Sequence, residues 1–108
     1  MELNIKDRLY IPKMLPDKGK FTEFNLKRSI VGKVMLTEED KEKYSIVEHK
    51  EESRVEWDSN KDFEFPKKVD FTKEELDYLR TSCEALIESA YPDDFWVTVE
   101  KIYDVATI

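Results

Sequence analysis

The residues predict an α+β fold: N-terminal helices, then a small antiparallel sheet built from a hairpin and a third strand, then a C-terminal helical hairpin. Three observations carry that prediction. Apolar residues recur at helical spacing from Leu76 to Tyr103, whereas residues 45–58 alternate at period two around a short polar loop. Thr72 stands three residues before Glu75, the arrangement that lets two side chains satisfy the free N–H groups at a helix start, and Asn4 and Thr37 mark two further helix starts.

Residues 4–15 open with Asn4 as N-cap and Asp7 three residues on, and Ile5, Leu9 and Tyr10 follow at helical spacing. Pro12 removes a backbone donor and crowds the preceding turn, so a short helix of about two turns is expected, ending before Pro16. A strand over Leu3–Ile11 competes, because Leu3, Ile5, Leu9 and Ile11 share a period-two face. Residues 17–20 read as a turn. Residues 22–35 read as a helix with Thr22 as its cap, and Gly32 within it suggests close approach of another element. Thr37 starts a short third helix that carries Glu38, Glu39 and Asp40 in its first turn and closes at Tyr44.

Residues 45–50 and 54–58 predict a β-hairpin whose buried set is Val47, Val55 and Trp57. Phe63 and Phe65 flank a link to Pro66, and residues 67–71 supply the third strand through Val69 and Phe71. Thr72 and Glu75 then form a capping box, with Phe71 and Leu76 placed as a hydrophobic staple. Leu76, Leu79, Cys83, Leu86, Ile87 and Ala90 make one apolar face, so this helix is expected to run to about Ala90. Pro92 interrupts it, and a second helix begins at Pro92 or Asp93 with Phe95, Trp96, Val99, Ile102 and Tyr103 on its apolar face.

At 108 residues with 40% hydrophobic content, the chain is long enough for one domain with a real core, despite 40% charged residues. No apolar run reaches the roughly 20 residues needed to span a bilayer, and the charged N-terminus does not read as a secretory signal. A single cysteine cannot form an internal disulfide, so a reducing, cytoplasmic setting is expected. The net charge of −7 is divided unevenly. Residues 1–36 carry eight Lys/Arg against four Asp/Glu, and residues 37–108 carry ten against twenty-one. The acidic part should repel nucleic acid and anionic membrane, while the basic first third should attract an acidic surface, another copy of the chain included.

No residue pattern points to catalysis. His49 is the only histidine; Glu48 and Glu51 are the acids near it in sequence, but adjacent residues on a strand point to opposite faces. Cys83 sits on the apolar face of a helix and reads as packing. The acidic clusters at 38–40, 74–77 and 93–94 stand at helix starts, where dipole complementarity accounts for them. With two glycines there is no phosphate-cradling loop, and no acidic cluster has calcium-loop spacing, so no cofactor or metal is expected. A helix-turn-helix over residues 22–44, with Lys20, Lys27, Arg28 and Lys33 on phosphates, would start its second helix with three carboxylates, which argues against DNA binding.

The segments NIKDRLYIPKMLPDKG (4–19), FTEFNLKRSIVGKV (21–34), RVEWD (54–58) and VDFTKEELDYLRTSCEAL (69–86) resemble small uncharacterised proteins encoded by bacteriophages and prophages. The resemblance covers most of the chain through core and capping patterns; it implies a phage or prophage origin, and with it a bacterial host cytoplasm, and it carries over no active site. The expected function is that of a non-enzymatic protein-interaction protein, a phage assembly or structural factor, acting on a protein partner or on a second copy. The interaction candidates are Lys27 and Arg28 in the basic third and Trp96 and Tyr103, with Tyr91, on the aromatic margin of the last helix. The alternative is an acidic imitation of nucleic acid that inhibits a host enzyme through Glu48, Glu51, Glu52, Glu56 and Asp58 on the hairpin.

Overall fold

In the computed structural model, which describes residues 1–107, the chain forms β1 (Glu2–Leu3), α1 (Ile5–Met14), α2 (Phe21–Val34), α3 (Glu38–Lys43), β2 (Val47–His49), β3 (Arg54–Glu56), α4 (Ser59–Glu64), β4 (Lys67–Lys68), α5 (Lys73–Glu84) and α6 (Asp93–Ala106). The fold is α+β, and its C-terminal helices α5 and α6 form the expected pair. Helices α1, α2, α5 and α6 enclose one core of Leu3, Ile11, Met14, Ile30, Val34, Leu79, Phe95, Val99 and Ile102, among others. Ile108, the last residue of the single domain expected at 1–108, lies outside the described residues.

The expected capping box at Thr72 forms, and the helix starts at Asn4 and Thr37 carry one as well. Asn4 and Asp7, Thr37 and Asp40, and Thr72 and Glu75 exchange backbone-to-side-chain hydrogen bonds of 2.8–3.2 Å. Pro12 lies within α1, which runs for ten residues, longer than the expected two turns; of the competing strand only Glu2–Leu3 exists. Helix α2 starts two residues earlier than a cap at Thr22 would set it: the Lys20 N–H donates to the Glu23 carboxylate, and Thr22 lies inside the first turn without a capping role. Gly32 does not mark a close approach, because a Cβ built there meets nothing within 4 Å.

The expected three-stranded sheet divides into two ribbons. Strands β2 and β3 pair with Val47 opposite Glu56, Glu48 opposite Val55 and His49 opposite Arg54. The third strand pairs instead with the chain's start, Glu2 opposite Lys68 and Leu3 opposite Lys67, which seats Leu3 in the core. A two-stranded ribbon has too little surface to bury a face, and Val47 is 51% exposed while Val55 and Trp57 are half-buried. The link at 59–65 is also more structured than expected. Asp58 accepts from the N–H groups of Asn60 and Lys61 and caps α4, whose Asp62 in turn accepts from the Ile5 N–H at 2.9 Å.

Helix α5 stops at Glu84, six residues short of Ala90. The Thr81 and Ser82 hydroxyls both donate back to the Tyr78 carbonyl, at 3.0 and 2.8 Å, and compete with the regular backbone ladder of the last turn. Beyond it the chain tightens into turns in which Leu86, Ile87 and Ser89 donate to the carbonyls of Cys83, Glu84 and Leu86. Ile87 leaves the apolar face as a result and becomes 69% exposed.

Candidate functional site: an acid-rimmed apolar groove

The early end of α5 opens a groove between α5 and α6. It encloses about 320 Å³ and is lined by Cys83, Ile87, Trp96, Val99 and Tyr103, with Glu84 and Glu100 at its rim. Helix α6 supplies Trp96, Val99, Glu100 and Tyr103 at spacings of three and four, so a single helical face presents them together. Its start is fixed from outside: the Tyr10 hydroxyl donates to Asp94 at 2.7 Å, and the rings of Tyr10 and Phe95 meet edge-on at 5.3 Å. The bond to Asp94 holds the Tyr10 hydroxyl above the ordinary tyrosine range and Asp94 below the ordinary carboxylate range. Behind Trp96, Tyr91 meets the Trp96 ring edge-on at 5.6 Å and lies tilted against Phe95 at 4.4 Å.

Cys83 belongs to the groove floor. Burial, followed by the nearby Glu84 charge, pushes its thiol up to about 11, so it stands as the protonated, unreactive form at neutral pH. Glu84 sits within salt-bridge range of Arg80 at 3.9 Å and accepts weakly from the Tyr103 hydroxyl at 3.4 Å. Both are exposed pairs that solvent screens, so the rim keeps its negative character.

The structure brings together two of the sequence-predicted interaction residues, Trp96 and Tyr103, and separates the rest. Lys27 is half-buried and donates to the Pro16 carbonyl at 2.9 Å, which makes it a tether. Arg28 is exposed and lies 5.6 Å from the centre of the Phe24 ring. On the hairpin, the pairing register puts Glu56 on the same face as Val47, His49 and Arg54, and Glu48 on the other face with Val55. The proposed single acidic face is thus divided. Its charges are also partly answered: Arg54 lies 2.8 Å from Glu56 and 3.1 Å from Glu52, His49 lies 3.4 Å from Glu56, and Lys41 lies 3.7 Å from Glu48. Glu51 stays exposed in the one-turn 3₁₀ segment Lys50–Glu52, which Ser53 closes in the left-handed conformation.

The basic first third is partly consumed inside the fold. Arg8 is 2% exposed; it donates to the Val34 and Met35 carbonyls at 2.9 Å and to Asp40 at 2.7 Å. Burial alone would raise the Asp40 carboxyl, but the hydrogen bonds from Arg8 and Thr37 outweigh it and hold it down at about 2. Lys33 meets Glu75 at 2.5 Å, and Lys101 of α6 meets Asp7 at 2.6 Å. Reading the chain alone missed Ile87, Val99, Glu84 and Glu100 as members of one site. The stretch had been expected to be helical to Ala90, which would have turned Ile87 inward; the tandem Thr81-Ser82 before it was the available signal that the helix ends sooner. Neither a protein-family model, nor a curated protein, nor a solved structure matches the chain, so what the groove does rests on these side chains alone.

Proposed function

We propose that the chain is a non-enzymatic protein-interaction module, a phage assembly or structural factor as its sequence resemblance implies, and that it holds its partner in the groove between α5 and α6. The observation that carries this reading is the convergence of Trp96, Tyr103 and the 69%-exposed Ile87 on an apolar floor rimmed by Glu84 and Glu100. Exposed aromatic and aliphatic side chains at the centre of a concave patch, with charge kept to the rim, are the composition of a binding hot spot. The fitting partner is a protein segment with an apolar anchor and basic flanks. The imitation of nucleic acid draws less support, because Glu48 and Glu56 lie on opposite faces of the ribbon and Arg54 answers Glu52 and Glu56.

The test is affinity capture from the native host lysate with the intact chain, an Ile87→Asp variant and a Glu48→Lys/Glu51→Lys/Glu52→Lys variant. A specific protein retained by the intact chain and by the hairpin variant, and lost with Ile87→Asp, is the expected result. Retention by Ile87→Asp together with loss from the hairpin variant would overturn the groove reading in favour of the acidic face.

A further inference from the structure

We propose that the partner of the groove is a second copy of this chain, docked head to tail through the start of α2. The inference rests on the groove reading above and names its occupant.

The occupant must offer an apolar anchor with positive charge beside it, and the chain carries one. Phe21 and Phe24, on the first turn of α2, are 77% and 52% exposed, with their rings nearly parallel and 6.4 Å apart. Two exposed phenylalanines side by side have no role in the core of their own copy. Lys18, Lys20 and Arg28 stand near them against the carboxylates of Asp17 and Glu23, with Arg28 over the Phe24 ring and Lys27 held by the Pro16 carbonyl. The groove has the opposite sign. Its charged lining residues are both acids, Glu84 and Glu100, and the cation near them is the exposed Arg80, 3.9 Å from Glu84.

Size and sign both select this knob. A cavity of about 150 Å³ accepts a benzene ring, so a groove of about 320 Å³ takes one phenylalanine ring with room for part of its neighbour. Phe63, at 89%, is the most exposed aromatic residue named, but it is followed by Glu64 and lies on a short helix, so an acidic rim would reject it. Lys20 and Arg28 lie four residues either side of Phe24, so positive charge flanks the anchor as Glu84 and Glu100 flank the groove.

Knob and groove are different surfaces of the same copy, so the contact is heterologous and a docked pair still offers one free groove, on one copy, and one free knob, on the other. Copies therefore add in a chain or close into a ring instead of stopping at a dimer. Two phenylalanines bury on the order of 150–250 Å² each, so the contact belongs with small interfaces under about 1,200 Å², which associate weakly. Its charge pairing makes it sensitive to salt.

The experiment is sedimentation velocity of the full chain over a concentration series, in low and high salt, with two variants confined to exposed positions. Phe21→Ser/Phe24→Ser removes the knob, and Glu84→Lys/Glu100→Lys reverses the groove rim; circular dichroism confirms that both keep the fold. The intact chain is expected to grow past the dimer at low salt and to revert toward monomer at high salt. Each variant alone should remain monomeric, and an equimolar mixture of the two should stop at a dimer, because only one knob and one groove then match. A monomeric intact chain overturns the proposal, as do oligomers that persist in either variant or a mixture that stays monomeric. Those failures leave the groove free for another protein, and loss of a captured protein with Ile87→Asp reports on that separately.

Discussion

Asp7, Asp40 and Glu75 each do two things at once. Each is the third residue of its helix and closes a capping box, and each is also buried and bound by a cation from a distant element: Lys101, Arg8 and Lys33 respectively. Thr98 and Ser29 add hydroxyl donors to Asp7 and Glu75 at 2.8 Å. The caps thereby become the points where α1 is tied to α6, α3 to α1 and α5 to α2. Removing one partner of such a buried pair strands the other, so Asp40→Ala is expected to cost about 3–5 kcal/mol by denaturant unfolding at neutral pH. The Asp40 carboxyl, held at about 2 in the fold, lies below its ordinary value of 3.8. The ionised pair therefore contributes its full stability above about pH 3.8, and the contribution is lost as pH falls through 2. Asp40→Asn should flatten that part of the acid-unfolding curve. Gly32 is the reverse case, a helical residue with open space where a side chain would stand. Gly32→Ala is expected to stabilise the protein by about 0.5–1 kcal/mol, read as a raised thermal midpoint.

Among the elements, α5 shows how a helix with a strong start can have a weak end. Thr72, Glu75, Phe71 and Leu76 specify where it begins, and Thr72→Ala should cost about 0.5–2 kcal/mol through the loss of its bond to the Glu75 N–H. No glycine or cationic side chain closes the other end, and the hydroxyls of Thr81 and Ser82 draw on the Tyr78 carbonyl that the ladder needs. The tight turns that follow carry Ile87 outward, and that displacement makes the difference between a filled helix–helix seam and an open groove. The hairpin differs in kind. Its strands are three residues each, and Val47 faces solvent. Amide hydrogen exchange should find Val47–Glu56 opening at a free energy well below that of α1, α5 and α6, which surround the core. Exchange of the hairpin as slow as that of α5 would contradict this.

For the molecule as a whole, charge is sorted into inside and outside roles. Arg8, Lys33 and Lys101 are spent on buried acids, while Lys18, Lys20 and Arg28 stay exposed before and along the first half of α2 and Glu84 and Glu100 stay exposed at the groove. The polarity read along the chain therefore survives folding in reduced form, as a basic aromatic knob and an acidic apolar groove. Among the described residues no helix is long and apolar enough to cross a membrane.

Local chemistry was sufficient for the helix starts at Asn4 and Thr37, the capping box at Thr72, the α5–α6 pair and the existence of the hairpin, because each is written within a few neighbouring residues. The same windows also marked Trp96 and Tyr103 as exposed aromatic candidates, of which Tyr103 is exposed and Trp96 is half-buried against the core. Long-range packing decided the rest. Which cation meets which buried acid, the pairing of Lys67–Lys68 with Glu2–Leu3 instead of with the hairpin, and the division of Glu48 from Glu56 all depend on contacts between residues far apart in the chain or across strands. A pattern of residue types records a preference for burial or exposure, but it does not name the neighbour. The groove is the clearest instance, since Trp96 and Tyr103 acquire a shared site only where α5 ends at Glu84 and leaves the space beside them unfilled.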